Sequence, residues 1–555
     1  MNYKYPLITA LLTLPLMGAE LLPDHAKSSA EKPYHEQILA ALLTQKSPKT
    51  VVLPELHPKR TTFNAEAPIP PQCYTRTEGQ FNPCYVCHQN QRTGGENTMN
   101  DGSLQLAYAF SDVGMTNHWA NLFEDRSKEV NEITDAEIDQ WVSTDNYTEL
   151  AGRLKETNFE GWIPDLKNLH LGAAAFDEFG FARDGSHWVA FNYKPLPSTF
   201  WPTNGSTDDV MIRLDSAFRQ TADGEYSVDI YRANLAILEA RIKGTNTIAT
   251  LPVNEKVIQE DLNGDEDLGV ITTISDTTQY VGGAAKRYVN EAIYPIGTEF
   301  LHTVRYVGIG QDDSIGPSTR MKEVRYMRKW KEYGQQTYAR RYELENFGKE
   351  LGRLPRYLLL GDKGLDNGFG WSIAGFIEDA NGQLRTLTYE ENLACMGCHS
   401  SVGATIDKTF SFPRKVDGAT GWKYIDLKGM PDAPNKGERE GEIATYLRRV
   451  GGGGEFRNNA EMIEKWFDSN GAVSDEKLAR AKDVYDLITP SVPRARQLNK
   501  AYRTIVANQD FIYGRDAMVK PPENVFEHID NETAPTLPAQ FFYTWDIRLD
   551  WSAAK

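Results

Sequence analysis

The segment FLHTVRYVGI, residues 300–309, is rich in β-branched and aromatic side chains, and this composition predicts a strand. Similar segments precede it, and turn residues such as those at 202–205 separate several of them. These other predicted strands are 187–193, 210–214, 226–230 and 269–274. We therefore expect a β-rich region over residues 186–310.

The composition of the chain is globular and acidic. Its 555 residues are 40% hydrophobic and 25% charged, which supports several packed domains rather than a disordered or multi-span membrane chain. Lys and Arg number 60 against 77 Asp and Glu, a net charge of -17. Such a surface argues against nucleic-acid binding, which needs a basic face, and against passive adhesion to anionic lipid.

The N-terminus predicts export. A short segment containing Lys4 precedes the mainly apolar residues 6–18, so we expect a signal peptide over 1–19. This segment holds no cysteine, and we expect no lipid anchor there. No later apolar run reaches the ~18 residues of a membrane-spanning helix. The expected location is the periplasm or another exported site, with outer-membrane association included.

Two pentapeptides provide the most specific chemical signal. Both read Cys-x-x-Cys-His, and they are Cys84-Tyr85-Val86-Cys87-His88 and Cys395-Met396-Gly397-Cys398-His399. Thiols three positions apart fit one short turn and can bond the same haem, while the adjacent histidine reaches its iron. The alternatives are a redox dithiol, a four-cysteine zinc site and two small disulfides, none of which requires the repeated histidine.

On these motifs and the export signal, the chain resembles the large dihaem c-type cytochromes. The resemblance implies two haem c groups, with the four motif cysteines as attachment points and His88 and His399 as proximal iron ligands. It implies electron transfer with a redox partner protein or a small-molecule electron donor or acceptor. The alternatives are a dihaem oxidoreductase of peroxidase or oxygenase type with one open haem site, and a binding protein whose β-rich region recognises a partner.

The expected fold class is α+β and multidomain, with mainly helical haem regions at both ends and a β-rich middle. The predicted segments are a signal peptide (1–19), an N-terminal arm (20–70), a first haem region (71–185), the β-rich region (186–310), a basic helical connector (311–389) and a second, helical haem region (390–555). Within the connector, residues 320–356 contain eleven Lys and Arg against five Glu. These cations suit a solvated helix face, haem propionates or an acidic redox partner.

The sixth ligand of each iron decides whether a haem site is closed or open. For the first haem we favour His118, which precedes a tryptophan. For the second we favour Met430, in a Met-Pro context, and His302 in the strand at 300–309 is a candidate for either. The rivals are Met99, Met115, Met518, His170, His187 and His528. Cys73 is left over and is expected to be a free or buried thiol.

A short acidic segment predicts a calcium loop. Asp261, Asn263, Asp265 and Asp267 place oxygen side chains at positions 1, 3, 5 and 7, as a short loop does when it wraps Ca²⁺. The match is partial, because Glu266 and Thr272 stand where such a loop has Gly and Glu. The alternative is an acidic solvated turn.

Overall fold

The computed structural model describes residues 66, 68–77, 82–89, 101–198, 200–351, 353–451 and 459–554. All of them belong to one compact unit, Lys59–Lys555. The predicted signal peptide and most of the predicted N-terminal arm therefore lie outside the described residues, as does Met99.

A large antiparallel sheet forms the centre of this unit. The described strands are β1 (Val189–Ala190), β2 (Thr207–Arg213), β3 (Ile248–Asn254), β4 (Val270–Ile274), β5 (Glu299–Ile309), β6 (Ile315–Lys329), β7 (Leu358–Leu359), β8 (Leu365–Asp366), β9 (Trp371–Glu378) and β10 (Leu384–Thr386). In the large sheet their order is β1-β2-β5-β6-β9-β8-β7, with β10 paired to β9, and a separate hairpin joins β3 to β4.

The two faces of the sheet bury different side chains because residues alternate along a strand. Phe300 on β5 belongs to the largest hydrophobic cluster, whereas its neighbour Leu301 belongs to a second cluster. On β5 the register pairs His302 with Val210 of β2 and with Arg325 of β6. His302 and Arg325 therefore lie side by side on adjacent central strands.

The α-helices are mostly short. They are α1 (Ser127–Glu132), α2 (Asp135–Ser143), α3 (Leu150–Lys155), α4 (Val228–Lys243), α5 (Glu255–Ile258), α6 (Gln335–Glu350), α7 (Tyr389–Leu393), α8 (Met396–His399), α9 (Glu442–Val450), α10 (Ala460–Trp466), α11 (Asp475–Leu478), α12 (Val484–Ile488) and α13 (Val492–Asn508). Helix α2 begins at a capping box formed by Thr134 and Glu137. Helix α13 packs Tyr502 edge-on against Tyr306 of β5.

The expected helical regions at both ends are wrong. The described part of residues 71–185 contains short 3-10 turns and three short α-helices, none longer than nine residues. Residues 390–555 are also largely non-helical, apart from short helices and the 17-residue helix α13. The helices that do form in these segments pack against one another, because Val130 and Ile138 join Tyr502 and Ile505 of α13 in one hydrophobic cluster.

Two local expectations also change. Residues 226–230 do not form a strand, because Ser227 accepts a hydrogen bond from the Ile230 amide and begins helix α4. The basic segment 320–356 is not helical throughout, because its first part lies in the 15-residue strand β6. β-branched and aromatic content alone does not separate a strand from the first turn of a buried helix.

Candidate functional site

The first motif lies on a tight turn. Residues Pro83–Val86 form a 3-10 turn, and the side chain of Asn82 accepts a hydrogen bond from the Cys84 amide at its start. The amide of His88 donates to the carbonyl of Cys84 at 2.9 Å. This bond closes one turn around the pair of cysteines and brings the histidine back over it.

The second motif has the same backbone closure. A capping box of Thr388 and Glu391 begins helix α7, which leads into the motif. The amide of His399 donates to the carbonyl of Cys395 at 3.0 Å. Both pentapeptides therefore present two thiols and one imidazole from a single turn, as the spacing predicts.

Each motif histidine is held through its Nδ1 atom. His88 Nδ1 lies 2.8 Å from Oδ2 of Asp101, and His399 Nδ1 lies 2.8 Å from the carbonyl oxygen of Lys408. A carbonyl oxygen can only accept, so His399 carries its proton on Nδ1 and its lone pair on Nε2. Burial lowers the pKa of His399 to about 4, which keeps the ring neutral near pH 7. Anchoring one ring nitrogen so that the other can ligate is the usual arrangement around metal-bound histidine.

The motif cysteines are free and protonated. None of the four is in a disulfide, so two small disulfides are not formed here. Burial raises the pKa of Cys84 to about 12 and that of Cys398 to about 11, and it raises the pKa of Cys87 and Cys395 as well. These thiols therefore lack the depressed pKa of a redox-active dithiol.

Each motif opens into its own cavity, and the two cavities adjoin. The first cavity, about 1360 Å³ and open to solvent, is lined by Cys84, Cys87 and His88. The second cavity, about 1110 Å³, is lined by Cys395, Cys398 and His399. Cys87, Cys398 and Phe410 line both. Motifs 311 positions apart in sequence thus share a wall.

Hydrogen bonds hold the two motifs together across this wall. The Asp101 carboxylate that binds His88 also accepts a hydrogen bond from the Gly403 amide, at 3.0 Å, just beyond the second motif. The Ala404 amide donates to the Cys87 carbonyl at 2.8 Å. The loop after the second motif therefore supports the turn of the first.

His302 lies in the second cavity with His399. Its Nε2 atom is buried and makes no hydrogen bond within the described part of the chain, although the Asp208 carboxylate lies 3.4 Å away. Phe200 packs edge-on against the ring at 5.0 Å. Among the sequence-predicted sixth ligands that lie in the described part of the chain, His302 is the one that the structure brings into a motif cavity.

The other two favoured sixth ligands lie elsewhere. His118 is buried and lines neither motif cavity. Met430 belongs to the largest hydrophobic cluster, where its carbonyl accepts from the Val484 amide, and it also lines neither cavity. Cys73, in contrast, lines the first cavity, where burial raises its pKa strongly.

In the candidate calcium loop, side-chain oxygens bind the loop's own backbone. The carboxylate of Asp261 accepts from the amides of Gly264 and Glu266, and Asn263 accepts from the Asp265 amide. Asp265 accepts in turn from the Asp267 amide.

Among the described residues, no three His, Cys, Asp or Glu side chains are grouped so as to hold a metal ion, which removes the four-cysteine zinc alternative.

Sequence reasoning missed the residues that orient the motif histidines. Asp101 is thirteen positions from His88, and no local pattern marks it. Lys408 follows Asp407, and both adopt left-handed backbone, with φ of 65° and 41°. Asp407 is fixed by buried Lys329, whose Nζ lies 2.5 Å from Oδ1. An Asp-Lys dipeptide nine residues after a Cys-x-x-Cys-His motif gives no signal for this strained turn.

Comparison with known proteins points to lipoproteins. A model of a lipoprotein family matches residues 58–485, a span that includes both motifs. An uncharacterized lipoprotein of Aquifex aeolicus (strain VF5) is 32% identical over 533 residues, which cover 84% of this chain and 89% of that one. No solved structure matches the chain.

These matches correct the classification of the chain. Neither description names a cytochrome, haem, electron transfer or an oxidoreductase, so the assignment to the dihaem c-type cytochromes is wrong. The electron-transfer function and its peroxidase or oxygenase alternative are wrong for the same reason. No group of three metal-binding side chains is found among the described residues. The spacing of a pentapeptide reports what can attach to it and does not identify the family of a 555-residue chain.

Export is supported by the same matches, because lipoproteins are exported proteins. Within the described residues, no helix is long and apolar enough to cross a membrane.

Proposed function

The chain belongs to this lipoprotein family, and on that premise we propose that it is an exported protein that binds two haem groups covalently, one at each Cys-x-x-Cys-His motif. The observation that carries the proposal is the matched pair of turns, each with two free thiols and one anchored imidazole at an apolar cavity.

The thiols suit covalent attachment. The Sγ–H of each motif cysteine adds across one vinyl C=C of a porphyrin, so that an S–C and a C–H bond form while the S–H and π bonds break. No atom leaves, and no oxidant is consumed. Cys84 and Cys87 would hold one group, and Cys395 and Cys398 the other. Their raised pKa values keep the S–H bonds intact for this addition.

The imidazoles suit iron ligation. With Nδ1 of His88 and His399 already bonded, Nε2 is the nitrogen available to a metal. A porphyrin supplies four nitrogens of its own, so one protein ligand per site suffices and no cluster of three protein ligands is needed. When bound, such a group supplies an iron centre whose behaviour depends on the ligands above and below it.

His302 is proposed as the second protein ligand at the second motif. It shares the cavity with His399, and its buried Nε2 has no hydrogen-bond partner in the described structure. A buried nitrogen without a partner costs free energy unless something binds it, and an iron would satisfy it. The packing of Phe200 against the ring holds the imidazole in place.

The periplasm is the proposed location. Membership of a lipoprotein family supports export, and covalent haem attachment at this motif takes place outside the bacterial cytoplasm. The thiol chemistry above and the exported location are therefore consistent with each other.

The test is a count of covalent haem. The full chain is produced in a host with haem-attachment machinery, and haem is measured by pyridine haemochrome and by intact mass. We expect two groups per chain, one after Cys84→Ser with Cys87→Ser, and one after Cys395→Ser with Cys398→Ser. Cys73→Ser is the matched control and should retain two. A chain of unmodified mass would overturn the proposal.

A further inference from the structure

A third cavity lies beside the second motif and differs from the other two in its polar lining. It measures about 970 Å³, and Cys398 forms part of its wall. Three cationic side chains line it: Lys322 and Arg325 from β6, and Arg515 from the segment after α13. The carboxylates that face it are Glu323 and Asp516. The proposed haem sites leave the polar groups of this cavity without an assigned role.

Several hydrogen-bond donors in this cavity have no acceptor. The hydroxyl of Tyr502 is buried, on a residue only 1% exposed, and it has no hydrogen-bond partner in the described structure. Nε of Arg515 is likewise buried and unpartnered there. Buried polar groups normally have partners, so these two donors are available to an acceptor that enters the cavity.

The guanidinium group of Arg325 also lines the cavity, and only part of it is hydrogen-bonded. Its Nε donates to Oε2 of Glu323 at 2.8 Å, while its two Nη groups bind no acceptor among the residues described. Arg515 donates to the same oxygen at 3.0 Å, and its Nη2 reaches the carbonyl of Glu391 at 2.5 Å. Glu323 therefore neutralises one of these two arginines and leaves an excess of positive charge at the cavity.

The remaining cation is already engaged. Lys322 donates to the Gly205 carbonyl at 2.6 Å and lies 4.0 Å from the centre of the Tyr502 ring. It adds positive charge to the cavity while its own ammonium donates to Gly205 and Ser206. Burial and the charge of Glu323 raise the pKa of Tyr502, so its hydroxyl stays a donor.

We propose that the third cavity binds a carboxylate group, held by Arg325, Arg515 and the Tyr502 hydroxyl. A carboxylate accepts several hydrogen bonds at once, and together with Glu323 it would balance the charge of the two guanidinium groups. It has two sources: a carboxylate side chain of the porphyrin attached at Cys395 and Cys398, or a small free carboxylate. Only the first source rests on the proposed function.

The test uses acetate as the probe and isothermal titration calorimetry on the full chain. Tyr502→Phe removes an oxygen that bonds nothing in the described structure, so the fold should be retained while acetate binds about tenfold more weakly. Tyr280→Phe is the matched control, since Tyr280 is also buried with an unpartnered hydroxyl but lies outside the third cavity. It should leave the acetate affinity unchanged. Arg325→Gln should weaken binding about a hundredfold.

The two sources are separated by the attachment variant. If the porphyrin supplies the carboxylate, acetate binds the Cys395→Ser, Cys398→Ser variant but not the parent chain, whose attached porphyrin already occupies the site. If the carboxylate is free, acetate binds both. If the protein carries no haem, the proposal is still tested, because the acetate affinities of Tyr502→Phe and Arg325→Gln are then compared with that of the haem-free parent. No acetate binding to either form, or equal affinity in Tyr502→Phe and its parent, overturns the proposal.

Discussion

The Nδ1 atom of His88 lies 2.8 Å from a carboxylate oxygen of Asp101, whereas His399 is anchored at the same distance by a backbone carbonyl, that of Lys408. The two motifs are thus alike in sequence, but their histidines have different hydrogen-bond partners at Nδ1. A carboxylate partner makes an imidazole a stronger donor of electron density than a carbonyl does. The two sites are therefore chemically unequal.

Asp101 accepts from three donors, His88 Nδ1 and the amides of Gln89 and Gly403. In Asp101→Asn the new amide NH₂ cannot accept, so at least one buried donor loses its partner. We expect a loss of about 1–3 kcal/mol in the free energy of unfolding, measured with urea. Asp112→Asn, at an exposed position, is the control and should change it little. Equal effects of the two changes would contradict the role of Asp101.

Lys329 and Asp407 form an ion pair with both side chains fully buried. Lys329→Met leaves the Asp407 carboxylate without its cation, and we expect unfolding to become easier by about 3–5 kcal/mol. The double variant Lys329→Met, Asp407→Asn removes both charges and should be less destabilised than Lys329→Met alone. Urea unfolding of the parent, Lys329→Met, Asp407→Asn and the double variant measures the coupling between the two side chains, and simple additivity would show that the pair does not interact.

Glu323 predicts a specific acid sensitivity. Burial alone would raise its pKa, but Arg325 and Arg515 outweigh it and lower the pKa from 4.5 to about 2. Its stabilising contribution is therefore complete above pH 4.5 and is lost as the pH falls towards 2. The stability difference between the parent and Glu323→Gln should shrink by roughly 3 kcal/mol across this range, as followed by urea unfolding at several pH values. A difference independent of pH would show that the carboxyl is not stabilised in its ionised form.

His302 predicts a change at the second motif that can be followed spectroscopically. With His302 as second iron ligand, carbon monoxide should leave the absorption of that group unchanged. In His302→Phe the iron at the second motif would lack this second protein ligand, and we expect carbon monoxide to bind there and to shift the absorption of that haem group. His170→Gln is the control, because His170 lies against Thr148 and Asp145, away from both motif cavities. A parent protein that binds carbon monoxide at the second motif would argue against His302 as ligand.

The calcium loop stays a prediction of the sequence. If Asp261 and its neighbours bind Ca²⁺, adding calcium to chelator-treated protein should raise the melting temperature, since a ligand of the native state stabilises it. Asp261→Asn should reduce this rise, while the exposed Asp223→Asn should not. An unchanged melting temperature at millimolar calcium would leave the loop as an acidic turn held by its own backbone hydrogen bonds.

The sequence predicted the local features well. The short turn that carries Cys84 and Cys87 and the strand at 300–309 each depend on neighbouring residues only. The structure contains both. The mainly helical ends were predicted from short helical patterns together with the resemblance, and that prediction was wrong, because a few helical turns do not make a whole region helical.

Other features were decided by tertiary structure alone. The Asp101 carboxylate meets the Gly403 amide across 302 positions of sequence, and His302 meets Arg325 through the register of β5 and β6. Such pairings depend on how strands align and how loops close over the sheet, and no short pattern encodes them. The sequence by itself determined that the chain carries two thiol–imidazole turns. Only the packed sheet determined that these turns share a wall, that His302 lies with His399, and that a cationic cavity lies beside them.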